Sequence, residues 1–192
     1  MRCFIDMDGV LVDFVGGAQA FYGRKLDPYP AGDFDIVKAL GMSSRELWNG
    51  LDESYWANLP MLPDAALLLQ LFEQSFGTMN LCLLTSPSRD PRSLSGKLRW
   101  IQKHLKKFER RFLIGPPKEF CAHPDSILFD DSDGNVDQFR RAGGAAVLVP
   151  RPWNRDHAIV DAVAHVQQCI TNRHWHAAPE EDVQPDLSFD FK

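Results

Sequence analysis

Two carboxylates spaced two residues apart, Asp6 and Asp8, end the short apolar run Cys3-Phe4-Ile5 near the start of the chain. The run has the character of a buried parallel strand, and acids at its tip repel each other unless a cation or a proton lies between them. A hard, oxygen-seeking cation such as Mg2+ is the simplest partner. Three further apolar runs end in polar residues. Asn80-Leu81-Cys82-Leu83-Leu84 runs into Thr85-Ser86, Ser126-Ile127-Leu128-Phe129 runs into Asp130-Asp131, and Arg111-Phe112-Leu113-Ile114-Gly115 is followed by Lys118. In an open parallel α/β sheet the carboxyl ends of the strands share one edge, and ligands bind there. Such an edge would gather carboxylates, two hydroxyls and one ammonium. With a divalent cation held by the acids, the set suits a phosphoryl group whose charge is spread over its oxygens.

The elements needed to position these tips are legible in the apolar spacing. Pro63 suits the first turn of a helix over Asp64–Phe76, whose Leu67, Leu68, Leu69, Leu71 and Phe72 are apolar nearly all round, so the helix is expected to be largely buried. Leu94, Leu98, Ile101, Leu105 and Phe108 fall at helical spacing, with Lys and Arg assigned to the remaining face. A helix near Asn135–Ala142, a fifth strand Ala146-Val147-Leu148-Val149, and a last helix marked by Ile159, Val163, Val166 and Ile170 complete the alternation. Strands alternating with helices predict an α/β fold, a parallel sheet covered on both faces.

Residues 14–60 differ in character. Phe14, Phe21, Tyr22, Phe34, Trp48, Tyr55 and Trp56 are interleaved with Gly, Pro and charges, and short helices are predicted over 12–22 and 44–50, the second capped by Ser43 or Ser44 with Glu46 in its first turn. The expected organisation is a core domain of residues 1–13 and 61–173, a small helical cap at 14–60, and a disordered tail at 174–192. His174 and His176 in that tail are not read as a metal site.

Composition narrows the partners. Lys and Arg total 21 against 26 Asp and Glu, a net charge of −5, which gives no broad basic face for duplex nucleic acid. The 4 cysteines lack C-x-x-C spacing and read as reduced thiols rather than zinc ligands. No apolar run approaches the roughly 18 residues needed to span a bilayer, and no leader precedes the first strand, so a soluble cytoplasmic protein is expected. The oligomeric state is left open, a homodimer among the arrangements allowed.

Taken in order, Asp6-x-Asp8-Gly9-Val10-Leu11, Thr85-Ser86, Lys118 and Asp130-Asp131 resemble the four motifs of the haloacid dehalogenase (HAD) superfamily of phosphohydrolases, over residues 3 to 150. Asp13-Phe14, Tyr55-Trp56-x-x-Leu59-Pro60, Leu84-Thr85-Ser86-Pro87 and Lys97-Leu98-Arg99-Trp100-Ile101 are similar to the 5'(3')-deoxyribonucleotidases within it. The resemblance implies a Rossmann-like HAD fold and hydrolysis of nucleoside monophosphates. It implies that Asp6 is the nucleophile and Asp8 the acid and base, with Mg2+ bound by Asp6, the Asp8 carbonyl and Asp130 or Asp131. Thr85 and Ser86 would bind the phosphate, Lys118 would neutralise it, and Lys97 would be a second cation. Phe14 and Trp56 are expected to stack on the base.

Rival readings of the same residues are a phosphatase for another small ester or a nucleic-acid end, and a phospho-accepting domain of the receiver type. A receiver needs neither the aromatic insertion nor an acid at Asp8. A calcium loop over Asp6–Asp13 lacks the flanking helix and the further oxygen ligands.

Overall fold

The computed structural model describes residues 1–26, 28–32, 35–115 and 117–175. Its centre is a parallel sheet of 5 strands in the order β3-β2-β1-β4-β5. The strands are β1 (Arg2–Ile5), β2 (Leu81–Thr85), β3 (Phe112–Ile114), β4 (Ser126–Asp130) and β5 (Ala145–Leu148). Each lies where an apolar run predicts it. Ile5 pairs with Leu83 on one side and Phe129 on the other, so the chain leaves β1 at Asp6 beside the tip of β4. The strand order reverses at β1, which makes this the switch point where open α/β sheets form their ligand crevice.

Alternation along the strands sorts the core into two faces. Cys3, Ile5, Ile127, Phe129 and Val147 pack against Leu68 and Phe72 of α5 (Ala65–Phe76) and Val166 of α8 (Ala162–Asn172). Phe4, Leu128, Ala146 and Leu148 pack instead against Val136 and Phe139 of α7 (Asp133–Arg141). The rings of Phe72 and Phe129 meet at 4.4 Å across the first face. Burying each such side chain contributes roughly 1.5–3 kcal/mol.

The insertion carries α1 (Phe14–Tyr22), α2 (Ile36–Ala39), α3 (Ser44–Gly50) and α4 (Glu53–Asn58). Asp13 caps α1 by accepting from Gly16 N at 2.8 Å, and Ser43 with Glu46 forms a full capping box on α3. Val15, Ala18, Ile36, Leu40 and Leu47 make a small core of their own, joined by Trp153 from beyond β5. The second half of the insertion joins the main core instead: Leu51, Tyr55, Trp56 and Leu59 are buried there, with α4 lying on α6 (Arg92–His104). Gly96 permits that crossing, because a Cβ at its position would lie 2.4 Å from Trp56 Cβ and 2.8 Å from the Glu53 carbonyl oxygen.

Four expectations need correction. The helix α5 is not buried all round: Leu67 is 57% exposed, and only Ala65, Leu68, Leu69 and Phe72 face the core. Lys97 does not lie on the solvent face of α6 but is 2% exposed, on the same side as Trp100 and Ile101. Ile159 precedes α8, which begins after the cap Asp161, and lies at the surface. The first two residues assigned to the tail, His174 and Trp175, belong to the fold, since Trp175 is buried and its carbonyl accepts from Ala146 N at 3.2 Å. Phe34, His176 and the remainder of the expected tail lie outside the described residues. No helix of the described residues is long and apolar enough to cross a membrane.

Candidate active site

The segment after β1 is wound tightly. Leu11 N and Val12 N both donate to the Met7 carbonyl at 2.8 Å, and Gly9 N donates to the Val12 carbonyl at 2.9 Å. Val10, Leu11 and Val12 turn into the core and leave Asp6 and Asp8 at the crevice. Gly9 has φ +76°, and a Cβ there would lie 2.1 Å from Asp131 Oδ2, so both backbone and space demand glycine.

Asp6, Asp130 and Asp131 are all buried, and one oxygen of each falls within 4.8 Å of the others. Lys118 enters from the turn after β3. Its Nζ lies 2.7 Å from Asp6 Oδ1 and 2.6 Å from Asp130 Oδ2. Burial works against that ammonium, but Asp130 and then Asp6 outweigh it and hold the pKa above the ordinary lysine value. Burial is also the main reason the Asp6 carboxyl is raised to about 7; Lys118 opposes the shift, and Asp130 and Asp8 add to it. Asp131 is raised well above the usual carboxylate range, first by burial and then by Asp130 and Asp6.

The two acids after β4 have different surroundings. Asp130 accepts from Lys118, from Ser132 N at 2.9 Å and from Asn135 Nδ2 at 3.1 Å, which occupies both of its oxygens. Asp131 accepts from Trp153 Nε1 at 2.5 Å through Oδ2, and its Oδ1 has no hydrogen bond among the described residues. When all three are ionised, three carboxylates facing one ammonium would leave two negative charges in a buried space. A divalent, oxygen-preferring cation fits that charge and that donor set.

A second cation lies opposite. Lys97 Nζ donates to Thr85 Oγ1 and to the Ser86 carbonyl, both at 2.7 Å, and pairs with Asp8 Oδ2. It also sits 5.3 Å from the centre of the Trp56 ring. Thus Asp6, Asp130, Asp131 and Lys118 form one group, and Asp8, Thr85, Ser86 and Lys97 form its neighbour, with Lys97 reaching the strand tips from α6.

Phe14 and Trp56 do not offer the open faces expected for a base. Their rings stack on each other at 5.5 Å and 11°, and Trp48 covers Phe14 from the other side at 5.9 Å and 8°. Trp56 is 3% exposed. Both rings are spent on packing, which corrects the stacking role assigned to them; Trp48, half-buried, borders a cleft of about 770 Å³.

The residues missed from the sequence are Arg151, Trp153 and Asn154. Arg151 Nε donates to the Gly9 carbonyl at 2.5 Å, its Nη2 to the Val10 carbonyl at 3.3 Å, and both Nη atoms to the Asp64 carboxylate at 2.7 and 3.1 Å. Asn154 Nδ2 donates to the carbonyls of Asp131 and Val149 at 2.9 and 2.8 Å. This Arg-Pro-Trp-Asn stretch follows the fifth apolar run directly, so the strand-tip rule that found the other residues would have found it.

No family model and no curated protein matches the chain. Solved structures do. A dehalogenase with an intermediate complex aligns with TM-score 0.50 at 12% identity over 92% of this chain and 97% of its own. The chain shares the fold of that dehalogenase. An L-2-haloacid dehalogenase from Xanthobacter autotrophicus aligns with TM-score 0.47 at 14% identity, over 82% of this chain and 80% of its own. A haloacid dehalogenase-like hydrolase from Streptococcus pneumoniae aligns with TM-score 0.48 at 16% identity, over 86% and 90% respectively. At these identities the likeness concerns the fold.

Proposed function

We propose that the chain is a HAD hydrolase, a Mg2+-dependent phosphomonoesterase that converts nucleoside monophosphates to nucleoside and phosphate. The observation that carries the reading is the bridge of Lys118 between Asp6 and Asp130, with Asp131 alongside. Such a set places a nucleophilic carboxylate beside fixed positive charge and a cation site, as phosphoryl transfer needs. The nucleotide preference rests on the sequence resemblance and on the cleft beside Trp48.

In this reading Lys118 and Met7 N hold Asp6 Oδ1, so that Oδ2 attacks phosphorus. The ester P–O bond breaks, and Asp8 gives its proton to the departing alkoxide. Asp8 then takes a proton from the water that attacks the phosphorus of the aspartyl phosphate, which returns Asp6 as a carboxylate. Thr85 and Lys97 bind the phosphoryl oxygens, and an arriving phosphate competes with Asp8 for Lys97, freeing Asp8 to carry a proton. Asp6, Asp131 and the Asp8 carbonyl would hold the Mg2+, which when bound neutralises charge on the phosphoryl group.

The test is phosphate release from purified protein over a panel of nucleotides, sugar phosphates and p-nitrophenyl phosphate, with and without Mg2+, alongside halide release from 2-haloacids. Mg2+-dependent phosphate release headed by a nucleotide is expected. Halide release with no phosphate release would overturn the reading.

A further inference from the structure

The loop that follows Thr85-Ser86 and the helix α3 of the insertion face each other across the cleft beside Trp48. Ser44, Arg45, Trp48 and Asn49 form one wall, and Pro87, Ser88, Arg89, Asp90 and Pro91 form the other. Pro87 of the loop wall follows Ser86 directly in the chain, and the Ser86 carbonyl accepts from Lys97, which also touches Thr85 and Asp8. Its volume, about 770 Å³, lies within the span typical of sites for small organic ligands.

Its charge is the informative feature. Asp90 is neutralised by Arg92, whose Nη2 lies 2.6 Å from Asp90 Oδ2, while another Arg92 contact reaches the Asn49 carbonyl at 3.3 Å and ties the two walls together. Burial does not explain the remaining two cations. Arg45 and Arg89 are both exposed, and neither makes an ion pair or hydrogen bond among the described residues. Two arginines without partners, one on each wall, concentrate positive charge on a chain whose net charge is −5. Planar guanidinium groups match phosphate oxygens in bidentate fashion. Trp48 supplies a flat apolar wall between them, backed by Phe14.

We infer that this cleft binds the leaving group and favours, among nucleotides, those that carry a second phosphate on the sugar, so that a nucleoside bisphosphate binds more tightly than the monophosphate of the proposed reaction. The inference rests on the proposed phosphomonoesterase reading for the placement of the scissile phosphate, but the binding it describes is measurable without turnover. One phosphoryl group occupies the Thr85–Lys97 site, the second lies between Arg45 and Arg89, and the base lies against Trp48.

The experiment is calorimetric binding of a deoxynucleoside 3',5'-bisphosphate and of the matching 5'-monophosphate, without Mg2+ and at fixed ionic strength. The parent protein is expected to bind the bisphosphate on the order of tenfold more tightly, as charge-assisted contacts of this kind supply. Arg45→Gln and Arg89→Gln should each reduce that ratio, and the double variant should bring it close to one. Arg99→Gln, an exposed arginine outside the cleft paired with Glu53, should leave the ratio as in the parent. A ratio near one in the parent, or a ratio that falls as much with Arg99→Gln, would overturn the inference. A kept ratio with no phosphate release from any ester would refute the phosphomonoesterase reading and leave the cleft assignment standing.

Discussion

Lys118 Nζ stands 2.7 Å from Asp6 Oδ1 and 2.6 Å from Asp130 Oδ2, so a single buried ammonium joins the tips of two adjacent strands. Replacing it by methionine keeps the volume of the stem but leaves two buried carboxylates facing each other. Lys118→Met is expected to cost about 3–5 kcal/mol of stability, as loss of one partner from a buried ion pair does. Urea unfolding checks this. A variant as stable as the parent would show that the lysine does not hold the acids together.

Trp153 holds Asp131 through a 2.5 Å hydrogen bond from its indole nitrogen. Trp153→Phe keeps a ring in the core of the insertion and removes the donor. The Mg2+ concentration giving half-maximal activity, and that giving half of the Mg2+-induced rise in melting temperature, should both increase about 10–100-fold, the range known for partners that orient metal ligands. Activity should return at high Mg2+. An unchanged Mg2+ dependence would reduce Trp153 to packing.

Arg151 fastens the Asp6–Asp8 loop to α5 by way of Asp64. Arg151→Met should lower stability by roughly 2–3 kcal/mol, because the carbonyls of Gly9 and Val10 lose a charged donor in a buried setting. Thermal unfolding, with Asp64→Asn as the milder comparison, measures it.

Gly9→Ala places a Cβ against Asp131 at a position with φ +76°. The left-handed backbone alone costs about 1–2 kcal/mol, and the clash displaces a carboxylate needed at the site. Turnover should fall about 100-fold or more with a smaller loss of stability, since a displacement of 1 Å is enough for that effect.

Much of this was legible in the sequence because the controlling signals are local. Five apolar runs gave five strands, and their polar tips meet at one edge as topology requires. Asp6, Asp130 and Lys118 could be placed together for that reason alone. What was not legible depends on contacts between distant segments. Lys97 sits on the buried side of α6 because Asp8, Thr85 and Ser86 compensate its charge, and no helical period announces such compensation. Trp56 fills a place against Gly96 and Phe14, so its ring is core and not a platform. Leu67 is exposed because α5 covers the sheet with a single face, although its sequence is apolar on several. The partners of Arg151 and Trp153 lie more than a hundred and about twenty positions away, respectively, so the strand tip marks the stretch but spacing does not name what it holds.

The central claim is that Asp6 is phosphorylated during turnover. The most direct measurement is rapid acid quenching of the protein with a nucleotide carrying a radioactive phosphoryl group, followed by peptide mapping. Label that withstands acid, is released by hydroxylamine, maps to the peptide containing Asp6 and is absent from Asp6→Asn is the expected result. Label on a different residue would contradict the claim, as would an Asp6→Asn variant that keeps about a tenth of parental turnover, since loss of a catalytic nucleophile costs several orders of magnitude.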